Sequence, residues 1–165
     1  MAKRSTAWSY EALAKAPKTY FDAVDAMDVD GILAHFADDA TLTVQTDHVT
    51  FTGASEIRRM FKDFFSSSVS IRHEIRNVVV EAEKGKVATE QGYIGELKSG
   101  EKNDMHNCNF FDFDGNGKFK RVIIWMAGTN PSTARPALDS RSSGVFTVSS
   151  RYSARKARPT RRKSP

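Results

Sequence analysis

The 165-residue sequence has one cysteine, Cys108, so an internal disulfide is excluded and the cysteine-rich frameworks of oxidising compartments are not in play. It has no apolar run near the roughly 18 residues that a membrane-spanning helix needs. Basic residues near the N-terminus (MAKRSTAWSYEALAKAP) are followed by no continuous apolar stretch, so no secretory leader is expected. There is no Gly-rich phosphate loop, no dinucleotide fingerprint and no G-x-S-x-G turn. The histidines at 35, 48, 73 and 106 show no zinc spacing with Cys108. Asp112-Phe113-Asp114-Gly115-Asn116-Gly117 opens like a calcium loop, but Ile123 stands where the bidentate Glu is required. We therefore expect no metal site, no cofactor and no membrane partner, in a soluble cytoplasmic protein.

Positive charge is scarce in the body of the chain. Residues 1–131 carry 16 Lys and Arg against 19 Asp and Glu, whereas residues 132–165 carry 9 against one. The overall net charge of +5 thus belongs to the tail. This division argues against a nucleic-acid-binding face on residues 1–131. The Ser-, Arg- and Pro-rich stretch 132–165 is too poor in apolar residues to offset its ordering entropy and reads as disordered. Its runs Arg155-Lys156-Ala157-Arg158 and Arg161-Arg162-Lys163 leave nuclear import or a loose polyanion contact open through the tail alone.

What is present is an ordered change of period. Residues 7–16 read as a short helix, with Pro17 opening a second helical stretch that carries Tyr20, Phe21, Val24 and Met27. Ile32, Leu33 and Phe36 repeat the helical spacing, residues 41–51 alternate, and 53–65 present Ile57, Met60, Phe61, Phe64 and Phe65 as one apolar stripe. Four β-prone stretches follow (69–83, 86–98, 103–113 and 119–127), separated by short glycine turns that join antiparallel neighbours. Helices first, one helix inserted after a short hairpin, then a meander, predicts an α+β sandwich with the helices on one face of a mostly antiparallel sheet.

Strand alternation sorts side chains by face. Asn107 and Asn109 share a face with Phe111 and Phe113. Ile71, His73, Ile75, Asn77 and Val79 share another, as do Val87, Thr89, Gln91 and Tyr93, and Arg121, Ile123, Trp125 and Ala127. If these faces converge, His73, Gln91, Tyr93, Asn107 and Asn109 put five polar groups into one interior. Buried polar groups need partners, and a small-molecule cavity with apolar walls would supply them. Cys108 and Phe110 take the opposite face, where either the second subunit of a homodimer or a small satellite cluster of apolar side chains would cover them.

Three segments together resemble one known family: Tyr20-Phe21-Asp22-Ala23-Val24, Asp28-Val29-Asp30-Gly31-Ile32 and His35-Phe36-Ala37-Asp38-Asp39-Ala40-Thr41. Gly53, Ile57, Phe61 and the F-x-F-x-G-x-G-K stretch from Phe111 to Lys118 keep the same order. The resemblance is to the SnoaL-like, nuclear transport factor 2-like superfamily. It implies a cone-shaped α+β barrel, with N-terminal helices packed on a curved, mostly antiparallel sheet, over about residues 10–130, and a pocket that in relatives serves isomerases, cyclases, dehydratases, epoxide hydrolases or binding domains. Matched position by position, the basic Asp of steroid isomerase relatives is replaced by Val44, and their oxyanion-stabilising Asp falls at Asn109. Their helix-borne Tyr is matched by Tyr20. The Arg and Asp of limonene epoxide hydrolase relatives fall at Gln91 and Tyr93. The polyketide cyclase Asp falls at Ala127, in Trp125-Met126-Ala127. A pocket His and Asn of scytalone dehydratase relatives fall near His73 and Asn107, while the Asp partner of that His is not evident in the sequence.

The resulting expectation is a metal-free isomerase, cyclase or dehydratase for a hydrophobic carbonyl-bearing metabolite. His73, Asn107 and Asn109 are its catalytic candidates, and Tyr20, Gln91, Tyr93, Phe111 and Trp125 its substrate-binding ones. The alternative is a non-catalytic ligand-binding or dimerisation domain of the same fold.

Overall fold

The computed structural model describes residues 8–127; the basic tail and the expectations attached to it lie outside the described residues. Ser9 caps the first helix, its Oγ accepting the Ala12 N–H at 3.1 Å, and α1 runs unbroken from Tyr10 to Asp25. Pro17 therefore does not start a helix; it lies within one. Its ring is buried on the face shared by Leu13, Tyr20, Phe21 and Val24, and that packing offsets the backbone bond that proline cannot donate. Asp28 accepts the Gly31 N–H at 2.9 Å and opens the short α2, Val29–Leu33. Phe36, grouped above with the helical residues, begins β1 (Phe36–Val44), which pairs with β2 (Val49–Thr52) across a short 3-10 turn. Next comes α3, Gly53–Ser67, which buries Ile57, Met60, Phe61 and Phe64; the Glu56 carboxylate accepts the Thr52 N–H at 2.8 Å just before it.

The meander follows as β3 (Ser68–Glu81), β4 (Lys86–Leu97), β5 (Lys102–Phe113) and β6 (Phe119–Trp125). The sheet order is β2-β1-β6-β5-β4-β3, with every pairing antiparallel except β1–β6. The three helices pack on one face of this curved, mostly antiparallel sheet, as the sequence and the resemblance together led us to expect, and its edge strands β2 and β3 do not pair to close it. Leu13, Tyr20, Phe21, Ile57 and Phe61 from the helices meet Leu42, Val87, Phe111, Phe119 and Val122 from the strands in one core.

Two β-bulges overturn the face assignments read by simple alternation. In β3, Ile75 pairs with Gln91 and Asn77 with Glu90, so Arg76 is an extra residue. Beyond it Val78 and Val80 turn inward, and Asn77 and Val79 are exposed. In β6, Phe113 pairs with Phe119 and Asp112 with Arg121, so Lys120 is extra. Phe119 faces in, but Val122 and Ile124 follow it there, and Arg121, Ile123 and Trp125 turn to the outer face. One inserted residue reverses every later side chain.

Candidate active site

The inner face of the meander forms a grid of cross-strand rows. His73, Tyr93 and Met105 make one row, Ile75, Gln91 and Asn107 the next, and Val78, Thr89, Asn109 and Ile124 a third. Against these rows lie Tyr20, Phe21 and Val24 of α1 and Met60, Phe61 and Phe64 of α3, lining a partly open cavity of about 60 Å³.

His73 is held by a residue that the sequence did not single out. Asp25, the last residue of α1, accepts from the His73 backbone N–H at 2.8 Å and lies 2.6 Å from Nδ1. An ionised carboxylate only accepts, so Nδ1 is the nitrogen that donates to Asp25, and Nε2 is the one free to take up a proton. The ring stacks on Phe21 at 4.6 Å and lies 5.2 Å from the Tyr93 ring; its side chain is 10% exposed. An acid four residues after Phe21, beside the buried stripe of α1, was the available signal for Asp25. Sequence separation hid it, because the partners are 48 positions apart.

The carboxamides are ordered by a ladder. Thr89 Oγ1 donates to Gln91 Oε1 at 2.8 Å, and Gln91 Nε2 donates to Asn109 Oδ1 at 2.8 Å. With its oxygen engaged, Asn109 has its Nδ2 donor left over at the cavity. Asn107 is similar: its Oδ1 accepts the Ala127 N–H at 3.4 Å and its Nδ2 remains. Tyr93 lines the same space, and its buried hydroxyl has no partner among the described residues. Burial, with the Asp25 charge behind it, pushes this phenol up to about 12, so it stays protonated. Tyr20 reaches the cavity from a ring cluster that includes Phe36, Phe111 and Phe119, and burial raises its hydroxyl further still.

Six of the eight candidates thus surround one cavity: Tyr20, His73, Gln91, Tyr93, Asn107 and Asn109. Phe111 does not line it; fully buried, it supports Tyr20 and Phe21 from below, at 5.9 and 6.4 Å between rings. Trp125 is not a pocket wall either. The Lys120 bulge turns it to the opposite face, where it is 51% exposed. That face has a larger, open groove of about 470 Å³ along Val79, Ala88, Phe110 and Ile123. The groove lacks the histidine–carboxylate pair, so the smaller inner cavity is the candidate for chemistry. No three His, Cys, Asp or Glu side chains come together to hold a metal ion among the described residues.

A family model for the SnoaL-like domain matches residues 18–122. The chain belongs to the SnoaL-like family. No curated protein matches the sequence significantly. Among solved structures, this SnoaL-like chain is similar to a Novosphingobium aromaticivorans protein provisionally assigned as an aromatic ring hydroxylase, at 21% identity and a TM-score of 0.65, covering 78% of this chain and 96% of that one. It is also similar to the BvnE pinacolase of Penicillium brevicompactum (13% identity, TM-score 0.64, 76% and 88% covered). A third is an LEH-like epoxide hydrolase of M. tuberculosis (14%, 0.62, 71% and 84%). At these identities the likeness is one of fold, in a family whose neighbours are largely described as enzymes.

Proposed function

We propose that this SnoaL-like domain is a cofactor-independent acid–base enzyme that moves a proton on a hydrophobic carbonyl-bearing metabolite, in an isomerisation, cyclisation or dehydration. The observation that carries this reading is the Asp25–His73 pair facing two carboxamide donors across one cavity. Nε2 of His73 takes a proton from the carbon beside the substrate carbonyl, and Asp25 stabilises the imidazolium that forms. Nδ2 of Asn109 or Asn107 donates to the oxygen on which charge develops, a role that needs no protonated acid. The imidazolium then returns the proton to another carbon, or to a departing hydroxyl that leaves as water.

Incubating the full chain with hydrophobic ketones in D2O and reading deuterium uptake by mass spectrometry tests this directly. Uptake that is lost in His73→Ala supports the reading. Ligands that bind without exchange favour the alternative, a non-catalytic binding domain of the same fold.

The outer face supports a homodimer. Val79, Ala88, Phe110 and Ile123 form one apolar row across four strands, and Phe110 is 47% exposed. A row of paired charges, Lys86–Asp112–Arg121, runs beside it and would set the register of a second copy.

A further inference from the structure

The cavity is too small for the ligand class that its chemistry suits. At about 60 Å³ it is well below the roughly 150 Å³ that takes up a single benzene ring. The cavity is also partly open to solvent, so it is a ring held fully inside that needs part of the wall to yield, and the neighbours of each wall residue show which part. His73 is tied twice to Asp25, and Gln91 and Asn109 are tied to each other. Phe61 and Phe64 pack on Phe65 at 5.7 and 5.5 Å between rings. Val24, Val44 and Ile124 are β-branched and stiff at χ1. The Tyr93 ring lies against His73 and leans over Gly95, where a Cβ would come within 2.2 Å of its hydroxyl.

Tyr20 and Phe21 pack on Phe111, and Asn107 accepts the Ala127 N–H. That leaves Met60 of α3, Met105 of β5 and Met126 just after β6, three of the five methionines in the chain. All three are unbranched. The backbone of Met126 is fixed, its N–H donating to Thr46 Oγ1 at 2.8 Å, so its side chain can turn without moving the strand end. We propose that Met60, Met105 and Met126 are the yielding wall of this site and its specificity determinants, opening to admit a flat aromatic ketone in preference to a saturated one of the same size. Thioethers adapt to irregular shapes and make favourable contacts with the edges of aromatic rings, whereas a saturated ring gains only the packing. The inference rests on the acid–base reading for its ligand class, but its test does not need turnover.

The probe pair is acetophenone and cyclohexyl methyl ketone, added at millimolar concentration to full-length protein with 13C-labelled methionine methyls. Acetophenone shifts the methyl signals of Met60, Met105 and Met126 but not that of Met27, which lies in the turn after α1. It also binds more tightly than the saturated ketone. Met105→Ile, a stiff side chain suited to a strand, weakens acetophenone binding roughly tenfold. Absence of methyl shifts in the wild-type protein overturns the proposal, as does equal binding of the two ketones. Methyl shifts without deuterium exchange leave the yielding wall standing and sink the catalytic reading instead.

Discussion

Asp25 holds His73 at two points, the ring Nδ1 at 2.6 Å and the backbone N–H at 2.8 Å, and so fixes both the proton position and the orientation of the imidazole. Two predictions follow for this pair. Nitrogen NMR of the wild-type protein at neutral pH places the His73 proton on Nδ1. Asp25→Asn, whose amide can also donate, mixes the two tautomers and lowers deuterium exchange by a factor on the order of 10²–10⁴, the usual contribution of a positioned acid–base group. A wild-type ring protonated on Nε2 would remove the basis for His73 as the base.

The four meander strands and the convergence of His73, Gln91, Asn107 and Asn109 were legible in the sequence because period-2 alternation and glycine turns are local signals, whereas the start of β1 at Phe36 was masked by helical spacing. Trp125 and Val79 were misplaced for a local reason too. Arg76 and Lys120 each add a residue that leaves no compositional mark, and alternation read through a bulge assigns the wrong face. Asp25 was hidden for a different reason. Its partnership depends on how α1 crosses β3, which is a tertiary relation that no spacing within either segment encodes.

Gly85 is the next test, because two constraints meet there. It ends the 3-10 turn between β3 and β4 at φ +60°, and a Cβ would come within 2.3 Å of the Trp8 ring. The Trp8 indole N–H donates to the Ala82 carbonyl at 2.9 Å, which ties the start of the described chain to this turn. Gly85→Ala should cost about 1–2 kcal/mol from the left-handed backbone and roughly a further 1–2 kcal/mol as the Trp8 ring is displaced. In a Trp8→Ala background only the backbone part should remain. Equal losses in both backgrounds, measured by urea unfolding, would show that the ring does not rest on this glycine.

His35 predicts the pH dependence of stability. Burial and the nearby Lys118 ammonium lower its pKa below 6.5, against a bond to the Thr19 carbonyl that acts the other way. A lowered folded-state pKa means that the unfolded chain takes the proton first as the medium is acidified. Stability from this group is therefore complete above pH 6.5 and declines as the pH falls below it. Asp112 adds a loss of the same sign at lower pH: burial tends to raise its carboxyl, but Lys86 and Arg121 overcome this and hold it below the ordinary 3.8. Unfolding midpoints compared at about pH 7.5 and 5.5 should differ less in His35→Gln than in the wild-type protein. An unchanged difference would assign the acid sensitivity to other groups.

The outer face gives the last prediction. Phe110 pairs in register with Ala88 on one side and Ile123 on the other, with Val79 beyond Ala88, so the apolar row is continuous across β3, β4, β5 and β6. In a monomer this row stays in water; a second copy laid against it removes that area and can match each Lys86–Asp112–Arg121 cluster to its symmetry mate. The full chain should therefore sediment as a dimer at tens of micromolar. Phe110→Asp puts a carboxylate at the centre of the row. It should leave a folded monomer, because the side chain it replaces contributes little to the inner core. Deuterium exchange per chain should survive in that monomer, since no residue of the Asp25–His73 site faces outward. A wild-type chain that sediments as a monomer would show that this apolar row faces water or another partner.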